Sequence, residues 1–214
     1  MLMDNTVFKK LSSSFDAEVH NLNLNDLTKK DIIGQKKLLS ALVKYKVLVF
    51  RKQNLTHRDH VSVGEFLGQL PPPHLMYPKV NGYKDIIIIR DDRDNPPENE
   101  VWHLDLTFYK EPSFAAILKG IEIPKRGGDT LFADMSKIAQ DLSDEFKSFL
   151  RNLSAIHSLK HGFKFVSDLN QIERVKVLKE SDPDVNSAKY PVLKIHPISG
   201  EENLFVNSAY TKHL

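Results

Sequence analysis

The chain has 214 residues, 41% of them hydrophobic, which is enough for one globular domain with a sizeable core, and no apolar run is long enough to span a membrane. Thirty basic and twenty-eight acidic residues leave a net charge of +2 that is dispersed along the chain, so neither nucleic acid nor an anionic membrane surface is expected as a partner. The absence of cysteine excludes disulfides and thiolate metal sites, leaving histidines and carboxylates as metal ligands, and residues 1–10 lack the apolar core of a signal peptide, which points to the cytoplasm.

In chain order the pattern is mixed α and β. Residues 29–46 place Ile32, Ile33, Leu38, Leu39, Leu42 and Val43 near helical spacing, and Val47-Leu48-Val49-Phe50 reads as a short buried strand. Asn54-Leu55-Thr56 can cap a second helix running to about Leu67. Pro71-Pro72-Pro73 cannot continue it and imposes an extended connection towards His74 and Tyr77. Residues 85–90 predict a strand buried on both faces, and the polar run 91–100, containing Asn95-Pro96-Pro97, predicts a lid-like loop.

Val101, Trp102, Leu104, Leu106 and Phe108 are strand formers, so 101–108 is expected to be a strand that presents His103 and Asp105 on one face. A second apolar strand is expected at 114–118, and Gly127-Gly128 should turn the chain into a third at 130–133. Asp134 can cap a helix whose apolar face carries Ile138, Ala139, Leu142, Phe146, Phe149 and Leu150. Residues 167–189 are polar and ambiguous. A strand-turn-strand unit spans 190–206, with Ser199-Gly200 at its turn, and neither an internal repeat nor a linker divides the chain.

A His and a carboxylate two residues apart on a strand can converge on one metal ion, and two His plus one carboxylate on one face of an octahedron is the arrangement of non-haem Fe(II) oxygenases. His-x-Asp alone is weak, and a second copy, His57-Arg58-Asp59, falls on a predicted helix, where positions i and i+2 diverge. By spacing alone, His103 and Asp105 could equally be a hydrogen-bonded structural pair.

Several motifs in fixed order decide more. Val49-Phe50-Arg51-Lys52-Gln53, Phe66-Leu67-Gly68-Gln69-Leu70, Asn95-Pro96-Pro97, Trp102-His103-x-Asp105-x-Thr107-Phe108, Gly127-Gly128-Asp129-Thr130-Leu131 and His196-Pro197 through Leu204-Phe205-Val206-Asn207 resemble the Fe(II)- and 2-oxoglutarate-dependent dioxygenases of the taurine dioxygenase type. The resemblance implies an α+β fold, a double-stranded β-helix (jelly-roll) core with flanking helices, within one domain over 1–214. It implies His103 and Asp105 as iron ligands, with no catalytic residue beyond the metal ligands, and Thr130 as a hydrogen-bond donor to 2-oxoglutarate. The other reading of Thr130 is an ordinary β-branched strand residue. The substrate pocket would be lined by His74, Tyr77, Asn99, Leu106, Phe163 and Tyr210, the last standing where the taurine enzyme has Phe; Phe163 also reads as plain core and His74 as a solvated loop residue.

The implied reaction is hydroxylation of a small sulfonate, with taurine the expected substrate, releasing sulfite and aminoacetaldehyde at the expense of 2-oxoglutarate and O2. The same chemistry on an alkyl sulfate or an aryloxyalkanoate is the nearest alternative. Members of the family continue into strands bearing a second iron His and an Arg that pairs with 2-oxoglutarate, so the expectation is a C-terminally truncated domain, its last strands missing. His157, His161, His196 and His213 match no ligand position. A non-catalytic remnant that binds metal weakly or supports a partner is the alternative from another class, and the sequence leaves a homo-oligomer open.

Overall fold

The computed structural model describes residues 3–74, 77–93, 101–162 and 187–214. These fall into two compact units, Met1–Ile88 and Ile89–Leu214.

In the first unit, β1 (Val7–Lys10) runs antiparallel to β2 (Ala17–His20), and β2 runs parallel to the two-residue β3 (Leu48–Val49). β1 has no alternating apolar signature and is mostly exposed, whereas β2 alternates, burying Ala17 and Val19. Helix α1 (Ile32–Tyr45) starts at Asp31, whose side chain accepts a hydrogen bond from the Gly34 amide. A Cβ at Gly34 would lie 2.3 Å from that carboxylate, so the cap requires glycine. The helix buries Gly34, Leu38 and Ala41, whereas Ile32 and Ile33, expected on its apolar face, are each 59% exposed.

Helix α2 (His57–Leu67) follows from a capping box: the Thr56 side chain accepts from the Asp59 amide, and the Asp59 carboxylate accepts from the Thr56 amide. The second His-x-Asp is therefore part of a helix start. Val63 and Phe66 form its buried face. β4 (Lys79–Val80) and β5 (Tyr83–Ile87) make a two-stranded ribbon turned at Gly82, which takes φ +78°. The strand expected at 85–90 is thus displaced. The ladder ends where Ile87 meets Lys79, leaving Ile88 and Ile89 about half-exposed.

In the second unit, Asp134 caps as expected, accepting from the Ser136 and Lys137 amides, but the helix behind it is broken into α3 (Met135–Asp141) and α4 (Asp144–Arg151). Ser143 provides the second cap and accepts from the Phe146 amide. The break rotates the expected apolar stripe apart, burying Ala139 and Leu150 while exposing Phe146 and Phe149. β6 (Ser154–Ser158), the short α5 (Leu159–Gly162), β7 (Ser187–Pro191) and β10 (Thr211–His213) follow, with β6 in the centre of a β10-β6-β7 antiparallel sheet.

β8 (Leu193–Ile195) and β9 (Glu202–Leu204) form the predicted hairpin, its turn including Gly200 at φ +74° and closed by His196 Nδ1 accepting from the Ser199 amide at 3.1 Å. Ala139, Leu150, Ala155, Val192 and Leu193 make the core against which Leu142, Leu153, Leu204 and Val206 pack. Arg151 clamps Glu202 through two 2.7 Å bonds and so ties α4 to β9.

Three predicted strands are not built. Residues 101–108 are irregular and then turn, and 114–118 and 130–133 lie outside every described sheet, with Leu118 and Leu131 strongly exposed. The described elements are mixed helix and strand, as expected, and no helix among them is long and apolar enough to cross a membrane.

Because the capping box satisfies two amides that would otherwise lack partners at the start of α2, Thr56→Ala should lower the unfolding free energy by about 1 kcal/mol. The change would be read as an earlier urea midpoint with an unchanged slope.

Candidate functional site

The His103–Asp105 segment is held from behind. Thr107 and Phe108, the next residues in the turn, are each 1% exposed, whereas His103 and Asp105 face outward. Leu106, between Asp105 and Thr107, takes φ +55°, and the Tyr109 amide closes the turn onto the Leu106 carbonyl at 3.1 Å. A left-handed leucine costs on the order of 1–3 kcal/mol and persists only where its surroundings impose it. That conformation is also why the segment cannot be the expected strand: one positive φ reverses the chain's course.

The turn nevertheless brings the two side chains together. His103 Nε2 and Asp105 Oδ1 are 3.3 Å apart. His103 Nδ1 lies 2.9 Å from the Val101 carbonyl, which can only accept, so Nδ1 carries the proton and Nε2 turns its lone pair to the carboxylate. Two acceptors facing each other are repulsive unless a proton or a cation lies between them. Accordingly, the hydrogen bond to Asp105 raises the His103 pKa above its ordinary 6.5, burial opposes this, and the Val101 bond and the Asp105 charge add to it.

The same geometry suits a metal. Bonds of roughly 2.1 Å to two adjacent corners of an octahedron put the donor atoms about 3 Å apart, and ligating histidines commonly donate their other N–H to a backbone carbonyl. His103 and Asp105 therefore fit as two neighbouring ligands of Fe(II). Among the described residues no third His, Cys, Asp or Glu joins them.

Behind the turn, Phe108 packs edge-on against Tyr109 and Tyr210, with ring centroids 4.7 and 5.2 Å apart. Tyr210 is placed by its amide donating to Asn207 Oδ1 at 2.8 Å, and Gly162 leaves room for its ring, because a Cβ there would come within 2.5 Å of it. His157 on β6 is wholly buried, its Nδ1 2.9 Å from the Thr107 hydroxyl. The Tyr190 hydroxyl donates to the Tyr109 carbonyl. His157 was passed over in the sequence because it matches no ligand position; its signal is alternation, since it and Ala155 are the inward positions of β6.

Of the other expected site residues, Tyr210 and Leu106 join the His103 turn, and Thr130 lies exposed on an irregular segment of the same unit after Gly127 and Gly128, both at positive φ. His74 and Tyr77 belong to the first unit and sit against each other, ring centroids 4.9 Å apart. Asn99, with residues 94–100 of the expected lid-like loop, and Phe163 lie outside the described residues.

Residues 8–214 match the family described as "Taurine catabolism dioxygenase TauD, TfdA family". An alkylsulfatase of Acinetobacter baylyi is 29% identical over 208 residues, covering 95% of this chain and 63% of that protein. An alpha-ketoglutarate-dependent sulfate ester dioxygenase of Pseudomonas putida is 31% identical over 192 residues, covering 88% and 62%. The crystal structure of a putative alpha-ketoglutarate-dependent taurine dioxygenase from Burkholderia xenovorans superposes with a TM-score of 0.74 at 27% identity, covering 97% of this chain and 65% of that one. The chain thus spans a little under two thirds of the length of these relatives.

The raised His103 pKa has a definite sign. Protonated His103 stabilises the folded state fully below the ordinary pKa, and that contribution is lost as pH rises through the folded pKa. In an NMR titration of the metal-free protein His103 should titrate above 6.5, and Asp105→Asn, which removes the largest cause, should bring it down; an unchanged midpoint in the variant would contradict the assignment.

Proposed function

This chain belongs to the taurine catabolism dioxygenase TauD, TfdA family, and on that premise we propose that it works as an Fe(II)- and 2-oxoglutarate-dependent dioxygenase on a small organosulfur anion, a sulfonate or a sulfate ester. The observation that carries the reading is the facing pair His103 Nε2 and Asp105 Oδ1, pre-set by the Val101 carbonyl to receive a cation. His103 and Asp105 would hold the iron, with Thr130 reaching the distal carboxylate of 2-oxoglutarate. His74, Tyr77, Asn99, Leu106, Phe163 and Tyr210 would line the substrate pocket within a jelly-roll core.

When bound, iron and 2-oxoglutarate supply the activation of O2, coupled to decarboxylation of 2-oxoglutarate to succinate and CO2, with the second oxygen atom entering the substrate. The protein's part is placement. The left-handed turn at Leu106 keeps Asp105 beside His103, 3.3 Å from its Nε2, so that the two groups meet a cation together. Hydroxylation of a carbon bonded to sulfonate gives an α-hydroxysulfonate that breaks its C–S bond to release sulfite and an aldehyde. On the carbon bearing a sulfate ester, the same step gives a hemiacetal-like sulfate that breaks its C–O bond to release sulfate and an aldehyde.

Taurine is one member of this class and an alkyl sulfate another. The names of the two bacterial relatives support testing the sulfate ester first. An aryloxyalkanoate is a further candidate, since a 2,4-dichlorophenoxyacetate dioxygenase of Burkholderia is 28% identical over 184 residues.

The purified chain, given Fe(II), 2-oxoglutarate and O2, should form succinate and sulfate in equal amounts from a medium-chain alkyl sulfate, or succinate and sulfite from taurine. His103→Ala should reduce succinate formation more than about a hundredfold, beyond the loss typical of an outer partner. Succinate no higher than in substrate-free controls for all three classes would sink the catalytic reading, and iron uptake without turnover would favour a binding role.

A further inference from the structure

Resting on the metal reading of His103 and Asp105, the geometry points to His157 as a positioning residue: its buried Nδ1 holds the Thr107 hydroxyl and thereby fixes the strained turn that sets Asp105 against His103.

Three observations meet in this contact. Leu106 stands in a left-handed conformation that its own side chain disfavours, so something outside the turn must impose it. The next residue, Thr107, is 1% exposed, and its hydroxyl lies 2.9 Å from His157 Nδ1 and 3.5 Å from Asn207 Nδ2, which donates to it. His157 itself cannot yield. It is fully buried in the central strand of its sheet, between β7 and β10, with Tyr190 and Phe205 rings centred 5.7 and 5.6 Å away.

A wholly buried imidazole is an expensive way to fill a core position unless its polar atoms are used. Burial lowers its pKa and favours the neutral ring, the Phe205 carbonyl opposing this and the nearby Lys194 charge adding to it. Among the described residues no acceptor meets hydrogen-bond geometry at Nε2, so the well-formed bond of the ring is the one to Thr107. A neutral ring and a hydroxyl can make that bond with either partner donating, so it holds across the tautomers. The chain of contacts then runs from a rigid strand through His157 and Thr107 to the peptide on which Asp105 is mounted. The Tyr190 hydroxyl, donating to the Tyr109 carbonyl, secures the other end of the same turn.

The test separates a hydrogen bond from mere bulk. Asn places an amide near the position of Nδ1, whereas Gln places it near Nε2. Ser keeps the Thr107 hydroxyl, whereas Val keeps the shape without it. Hydrogen exchange of the Tyr109 amide, which closes the turn, is measured on metal-free protein, and Co(II) affinity is measured from its visible absorption as a stand-in for Fe(II).

His157→Gln and Thr107→Val should lose roughly three- to tenfold in Tyr109 protection and roughly ten- to a hundredfold in Co(II) affinity, while His157→Asn and Thr107→Ser stay near wild type. Wild-type protection in the Gln and Val variants would overturn the inference, as would equal losses in all four. Failure of the unaltered chain to take up Co(II) would sink the metal reading, while the exchange comparison on metal-free protein would still decide whether His157 orders the turn.

Discussion

An imidazole lone pair and a carboxylate held 3.3 Å apart repel each other until a proton or a metal ion comes between them, so the fold has to supply the force that keeps them there. Neither group is buried enough to be trapped by packing. The constraint is applied one residue further on, where Thr107 and Phe108 leave solvent completely and take the chain with them. To point Asp105 outward and Thr107 inward within this distance, the backbone accepts a left-handed Leu106. The cost is local, and the compensation comes from burial of Phe108 and from polar contacts beneath it, each of a size comparable to the strain.

The elements of the second unit are arranged to make that floor. β6 presents His157, β7 presents Tyr190, and Phe205 follows β9, so that one aromatic and imidazole cluster collects residues far apart in sequence. The Phe205 amide donates to the Val192 carbonyl at 2.7 Å, locking the cluster to the aliphatic core that α3 and α4 help to build. Lys194 lies over the Tyr190 and Phe205 rings, 4.5 and 4.3 Å from their centroids, where the ring faces favour its charge. Polar groups inside such a cluster specify position more than they add stability, which suits a floor that sets His103 against Asp105.

Family membership gives this arrangement a chemical setting. The Tyr210 ring packs edge-on against Phe108, and it fits only because residue 162 is glycine.

Local rules in the sequence were sufficient for several elements: α1, α2 with the Thr56–Asp59 box, the Asp134 cap and the hairpin around Gly200, because caps and turns depend on neighbours in the chain. The Trp102–Phe108 motif likewise singled out His103 and Asp105, which the structure brings to 3.3 Å, without the geometry that does so. Hydrophobic composition failed wherever a strand depends on its partner. It missed β1, β2 and β6, short strands of which β2 and β6 alternate only over four or five residues, and it predicted strands at 114–118 and 130–133, which lie outside every described sheet. Only the tertiary structure could decide that 101–108 is a turn, since the positive φ at Leu106 is imposed by Thr107 and Phe108 anchoring on His157 and Tyr210, contacts that span 50 to 100 residues and leave no trace in the local pattern.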